Sequence, residues 1–188
     1  MKKNQSKHGI IFWITGLSGS GKTSLAKKIT KFVIKNYGPT VCLHGDELRK
    51  TFNIKSYNKK DRLMIGRMYI KLIKMIAEQK INVIISVVGL FHELQKLNRK
   101  TFTNYLEIFI KSDIKLLKSK KKRVFYRKKT ADVWGIDLKP EFPKKPDITI
   151  INNFEKNLDT LARDLIFKIR KKILKKLEKK CMSECLLI

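Results

Sequence analysis

Residues 14–24 read Ile14-Thr15-Gly16-Leu17-Ser18-Gly19-Ser20-Gly21-Lys22-Thr23-Ser24. Gly16, four residues, then Gly21-Lys22-Thr23 fits the pattern G-x-x-x-x-G-K-[ST]. The glycines let successive backbone N–H groups turn inward around phosphate oxygens, the lysine reaches the β and γ phosphates, and the hydroxyl binds Mg²⁺. Gly16, Ser18, Gly19, Ser20, Gly21, Lys22, Thr23 and Ser24 are therefore the candidate phosphate-binding residues, with Thr23 as the metal ligand. The context agrees with this reading. Ile10-Ile11-Phe12-Trp13-Ile14 is an apolar, β-branched run that reads as a buried strand. After the loop, Leu25, Ala26, Ile29, Phe32 and Val33 repeat at helical spacing, and Gly38 can end that helix.

Working outward, apolar runs at Thr40 to Leu43, Ile81 to Val88, Tyr105 to Ile110 and Ile148 to Ile151 alternate with helical stretches. The pattern predicts an α/β fold with a five-stranded parallel sheet flanked by helices, in one domain over residues 1–188. A helix over Asp61 to Gln79 rests on Met68, Leu72, Met75 and Ile76 as its core face. A basic helix over Glu155 to Lys180 rests on Leu158, Leu161, Ala162, Leu165, Ile169 and Ile173. Lys118 to Pro146 is too long for an ordinary connection and is read as a lid loop.

In an open parallel sheet the ligand sits beyond the carboxyl ends of the strands. The residues there are His44-Gly45-Asp46-Glu47-Leu48-Arg49, followed by Asp61, Arg62 and Arg67 at the start of the next helix. A positioned aspartate can take the proton of an attacking hydroxyl or hold Mg²⁺, and an arginine can clamp a phosphate through two hydrogen bonds.

Lys and Arg number 44 against 16 Asp and Glu, a formal net charge of +28. That charge steers nucleotides, nucleic acids or anionic lipid toward the chain, while lysine-rich solvated helix faces account for much of the same excess. Cys42, Cys181 and Cys185 show no C-x-x-C spacing, and no secretory signal precedes the first strand, which points to a reducing, cytoplasmic setting. No base-stacking motif of a nucleic-acid binder accompanies the charge, so nucleic acid is not an expected partner.

Taken together, "GLSGSGKTS", "GDELR", the Asp61-Arg62 pair and the distal "GIDLKPEFPKKPD" resemble the adenylylsulfate kinase family. Its members carry GxSGxGKT, DGDxLR, FSxxDRxxNIRR and GxDxPYExPxxPD in this order. The resemblance implies a P-loop NTPase fold and transfer of the γ-phosphate of MgATP to the ribose 3′-hydroxyl of adenylylsulfate, with ATP and Mg²⁺ as cofactors. It implies a catalytic role for Asp46 beside Lys22, and acceptor binding by Arg49, Arg62 and Glu141. Tyr57 and Trp134 are the aromatic candidates for stacking on the acceptor's base, and packing explains them equally well. A small-molecule nucleotide substrate and a homodimer follow from the family's habit.

Several positions depart from the family pattern. His44 replaces the first Asp of the box, Ile65 stands where the family has Asn, Pro140 replaces the aromatic of PYE, and Lys120 to Tyr126 replaces RDxKGLY. The segment from Ser86 to Arg99, with "NYLEIFI", looks more like the subgroup found with surface-polysaccharide genes, some of whose members phosphorylate a cytidine diphosphoramidate. Two further readings stand beside these. One is a P-loop kinase for another small hydroxyl compound. The other is a weakly catalytic or non-catalytic nucleotide-binding module seated on membrane or nucleic acid. The tail's basic helix and terminal Cys185-Leu186-Leu187-Ile188 fit a lipidated anchor. Packing of that helix on the sheet is the favoured reading, and membrane contact the lesser one.

Overall fold

The computed structural model of the chain describes residues 8–119, 134 and 138–185. Residues 120–133 and 135–137 of the expected lid and residues 186–188 of the tail signature lie outside that set. The elements run β1 (Ile11–Thr15), α1 (Lys22–Tyr37), β2 (Thr40–His44), α2 (Gly45–Thr51), α3 (Lys59–Glu78) and β3 (Asn82–Ser86). They continue with α4 (His92–Thr101), β4 (Tyr105–Lys111), α5 (Ile114–Ser119), β5 (Ile148–Ile151) and α6 (Leu158–Cys185).

Five parallel strands order as β2-β3-β1-β4-β5. Side chains alternate across a strand, so β1 feeds two cores. Ile11 and Trp13 face α3 and α4, packing with Tyr69, Ile70, Ile73 and Leu94. Phe12 and Ile14 face α1 and α6, packing with Leu25, Ile29, Leu165 and Ile169. Because helices cover both faces, the strands read as unbroken apolar runs. Each fully buried side chain such as Trp13 or Phe12 contributes roughly 1.5–3 kcal/mol over its exposed state.

The expected core face of α3 needs correction. Met68 and Met75 are 50% and 63% exposed, and Leu72 and Ile76 are only partly buried. The buried face is Ile65, Tyr69, Ile70, Ile73 and Ala77. Apolar residues occur around nearly the whole circumference of α3, so two periodic stripes compete, and contact with β3 and α4 selects one. The stripe expected on α6 does pack: Leu161, Ala162, Leu165 and Ile169 are buried, flanked by Leu158 and Ile173. That helix begins at Leu158 rather than Glu155. The helix α4 escapes a periodicity reading because His92-Glu93-Leu94-Gln95-Lys96-Leu97-Asn98-Arg99-Lys100-Thr101 carries only two apolar anchors, Leu94 and Leu97.

Candidate active site

The chain order puts β2 and β3 on one side of β1 and β4 and β5 on the other. The reversal falls between β3 and β1, where ligands of open α/β sheets bind. The loop Gly16–Gly21 rises from β1 at that place and opens α1 at Lys22. Gly16 has φ +148°, and a Cβ there would lie 2.4 Å from the Ile110 carbonyl oxygen, so only glycine fits against β4. Gly21 has φ +95°, in the left-handed region, and its Cα face lies against the Asn152 amide.

Asn152, directly after β5, donates from Nδ2 to the Ser20 carbonyl at 2.9 Å, and its backbone N–H donates to the Lys111 carbonyl. It ties the loop to the far edge of the sheet. Sequence reasoning passed over it, and the available signal was an asparagine following the last apolar run.

Lys22 is buried and its Nζ donates to the Leu17 carbonyl at 2.8 Å, so the ammonium curls over its own loop. The Ser20 hydroxyl is buried without a hydrogen-bond partner among the described residues. A buried hydroxyl left unpaired costs about 1–3 kcal/mol, and a phosphate oxygen would satisfy it. The glycine cradle, the orphaned Ser20 hydroxyl and the lysine thus fit a polyphosphate. On the β3 side, the Thr23 hydroxyl lies 3.3 Å from the Ser86 hydroxyl, which lies 2.7 Å from His44 Nδ1. Burial pulls the His44 pKa below its ordinary value, so the ring is neutral at pH 7. Hard oxygen donors of this kind suit Mg²⁺.

Asp46 and Arg49 lie on α2, a helix directly abutting β2 with no loop between, so the strand's end aims both residues over the sheet rim. Asp46 is exposed in the first turn. Arg49 donates from Nη1 to the Ser56 carbonyl at 2.7 Å, with its guanidinium 4.4 Å from the Tyr57 ring centroid. Arg62, on the first turns of α3, hydrogen-bonds the Tyr57 carbonyl and lies 5.1 Å from the same ring. Asn58 caps α3 by accepting from Asp61 N at 2.9 Å, which fixes where Arg62 emerges. Asp46, Arg49, Lys50, Asn53, Ile54, Lys55 and Tyr57 line an open groove of about 400 Å³.

Arg49, Tyr57 and Arg62 thus come together at one place. Trp134 and Glu141 are placed differently. Trp134 is 4% exposed and meets Phe91 edge-on at 4.9 Å, with Arg62 5.9 Å from its ring. Packing, rather than an open stacking face, describes it. The Glu141 carboxylate accepts from His92 N at 2.7 Å, at the start of α4, with Lys59 Nζ 4.0 Å away. A residue that sequence reasoning missed is Tyr69, whose buried hydroxyl has no hydrogen-bond partner among the described residues. It lies in the electrostatic field of Arg49, Asp46 and Tyr57, and burial raises its pKa.

Comparison with known proteins agrees with this geometry. The adenylylsulphate kinase family profile matches residues 8–151. A cytidine diphosphoramidate kinase of Campylobacter jejuni is 30% identical over 85% of this chain and 95% of its own length. An adenylyl-sulfate kinase of Buchnera aphidicola is 30% identical over 85% of this chain and 83% of its own. In fold, the chain is similar to the Mycobacterium tuberculosis APS kinase CysC, solved with AMPPNP and APS. That likeness has a TM-score of 0.77 at 23% identity and covers 88% of this chain and 99% of that one. The phosphate loop, the acidic box and the paired arginines therefore sit in a P-loop kinase scaffold, and the chain belongs to the adenylylsulphate kinase family of ATP-dependent phosphotransferases.

Proposed function

We propose that the chain transfers the γ-phosphate of MgATP to a ribose hydroxyl of a nucleotide whose 5′ side carries negative charge. The observation that carries this is the meeting of the Arg49 and Arg62 guanidiniums on one half-exposed tyrosine, Tyr57, beside a groove that also holds Asp46. Two guanidiniums at one mouth suit a diphosphate-like group, and the ring offers a flat surface to a base. In the transfer, the acceptor hydroxyl oxygen attacks the γ-phosphorus, the bond to the bridging oxygen of ADP breaks, and the Asp46 carboxylate takes the hydroxyl proton. Lys22 and the loop hold the phosphates, and Thr23 supplies a hydroxyl to Mg²⁺. Bound there, Mg²⁺ would supply positive charge against the charge that spreads over the transferred group. Glu141 acts on the acceptor side by holding the start of α4, and Trp134 backs Arg62. We place this work in the cytoplasm, in a homodimer, which sedimentation at micromolar concentration checks.

Adenylylsulfate and a cytidine diphosphoramidate-type nucleotide both meet these requirements. The second stands beside the first because of the C. jejuni relative, which matches over nearly its whole length, and the stretch from Ser86 to Arg99. Measuring ATP turnover with both acceptors decides between them. Lys22→Ala and Asp46→Asn should each lower turnover by on the order of 10²-fold or more with the fold intact. Arg49→Ala and Arg62→Ala should raise the acceptor KM more than the ATP KM. Near-normal turnover in Lys22→Ala or Asp46→Asn would sink the assignment, and arginine variants that impair only ATP would move those residues to the donor side.

A further inference from the structure

His44 ends β2 and Ser86 ends β3, and the parallel register sets them side by side. Their contact is His44 Nδ1 to Ser86 Oγ at 2.7 Å, and the next is Ser86 Oγ to Thr23 Oγ1 at 3.3 Å, long for an O–H···O bond. On the other edge of the ring, His44 Nε2 lies 3.8 Å from Cys42 Sγ. His44 and Ser86 are 5% and 3% exposed, so bulk water does not compete for these groups.

The direction of the O–H bonds then matters. A hydroxyl has one hydrogen and two lone pairs. For Thr23 to offer a lone pair to a cation, its hydrogen must point away, and Ser86 Oγ is the acceptor placed to receive it. The Ser86 hydrogen must in turn go to an acceptor, and His44 Nδ1 is at bonding distance. Nδ1 accepts only when the neutral ring carries its proton on Nε2, where the Cys42 sulfur is a weak acceptor.

We propose that His44 is a positioning residue, held as the Nε2–H tautomer, which orients the Ser86 hydroxyl and through it the Thr23 hydroxyl so that Thr23 presents a lone pair to the Mg²⁺ accompanying ATP. The inference rests on Thr23 being the metal-side hydroxyl of the proposed kinase site. It also explains the altered acidic box. An aspartate at this position is an acceptor only, and a neutral Nε2–H histidine also accepts at the atom facing Ser86. His44 therefore keeps the hydrogen-bond direction while removing one negative charge from the metal's neighbourhood.

Two measurements on the full chain test this. First, ¹⁵N NMR of the three histidines, with His44 assigned through His44→Asn, should show the Nε2–H tautomer at His44; an Nδ1–H tautomer overturns the inference. Second, calorimetry of ADP with and without Mg²⁺ reads the metal's contribution apart from turnover. His44→Asn, whose side-chain oxygen can accept near the Nδ1 position, should keep the Mg²⁺ enhancement within a few-fold. His44→Leu should lose about 10-fold or more of it, as for other partners that orient a metal ligand, with metal-free ADP binding unchanged. Unchanged Mg²⁺ enhancement in His44→Leu overturns the inference, as does a parallel loss of metal-free binding in both variants. Should His44→Leu not fold, the tautomer and His44→Asn still decide. If the wild-type chain does not bind ADP at all, the kinase reading itself fails, which is a different result from the loss of this relay.

Discussion

A tyrosine hydroxyl buried without a partner is a cost the free protein carries. Tyr69 sits on α3 one turn beyond Ile65, on the side from which Arg62 emerges two turns earlier, and its hydroxyl feels Arg49, Asp46 and Tyr57. Removing an unsatisfied buried hydroxyl relieves a penalty of about 1–3 kcal/mol. Tyr69→Phe should therefore raise the melting temperature of the free chain. If the acceptor nucleotide supplies the missing partner, the same change raises the acceptor KM several-fold and leaves the ATP KM alone. Thermal unfolding and steady-state kinetics on one preparation read both effects. A lower melting temperature would mean the hydroxyl already has a partner in solution, such as a bound water.

At the scale of elements, the stretch from Leu138 to Asp147 acts as a seam that fastens the segment before β5 to α4. Glu141 accepts from the first N–H of α4, and the Gln95 side chain donates to the Glu141 carbonyl at 2.9 Å. At the other end, Asp147 accepts from Glu107 N at 2.9 Å and from Arg99 at 3.3 Å, while Arg99 also meets the buried Glu107 carboxylate at 2.8 Å. Burial raises the Glu107 pKa, with Arg99 opposing. Breaking a buried pair from one side costs about 3–5 kcal/mol. Arg99 is 41% exposed, so Arg99→Met should cost about 3 kcal/mol, at the low end of that range. The sign with pH follows from the raised carboxyl. The folded chain holds the Glu107 proton longer than the unfolded chain, so the stabilisation from that protonated carboxyl is present below the ordinary value of 4.5 and is lost as pH rises through the raised one, and without Arg99, which lowers that pKa, the loss is larger. Urea unfolding from acid to neutral pH should show the Arg99→Met deficit growing as pH rises. A deficit that does not change with pH would mean the loss is of packing and not of charge pairing.

For the whole molecule, a charge of +28 spread over the surface concentrates polyphosphates around the site. Screening at physiological ionic strength acts over about 8 Å. The kcat/KM for ATP should therefore fall steeply as salt rises, while kcat changes little, and steady-state rates across a salt series check this. A flat kcat/KM would assign the lysines to solvation alone. No described helix is long and apolar enough to cross a membrane.

The strands and the phosphate loop were legible in the sequence because both are local. A strand covered on both faces must be a continuous apolar run, and a loop around phosphates must carry glycine where Cβ would strike backbone, as Gly16 does against Ile110. Arg49 follows a strand end and Arg62 opens a helix on the same rim, so their positions near one another were legible, with Tyr57 just ahead of that helix. Other features were decided only by tertiary packing. Which stripe of α3 is buried depends on β3 and α4, because the helix is apolar on both candidate faces. Trp134 becomes a packing residue because Phe91 waits for it on a distant loop. The links from Asn152 to Ser20, and from His44 through Ser86 to Thr23, join side chains on neighbouring strands and loops that are far apart in the chain. Their pairing is set by the order and register of the parallel sheet, and no short stretch of sequence carries that information.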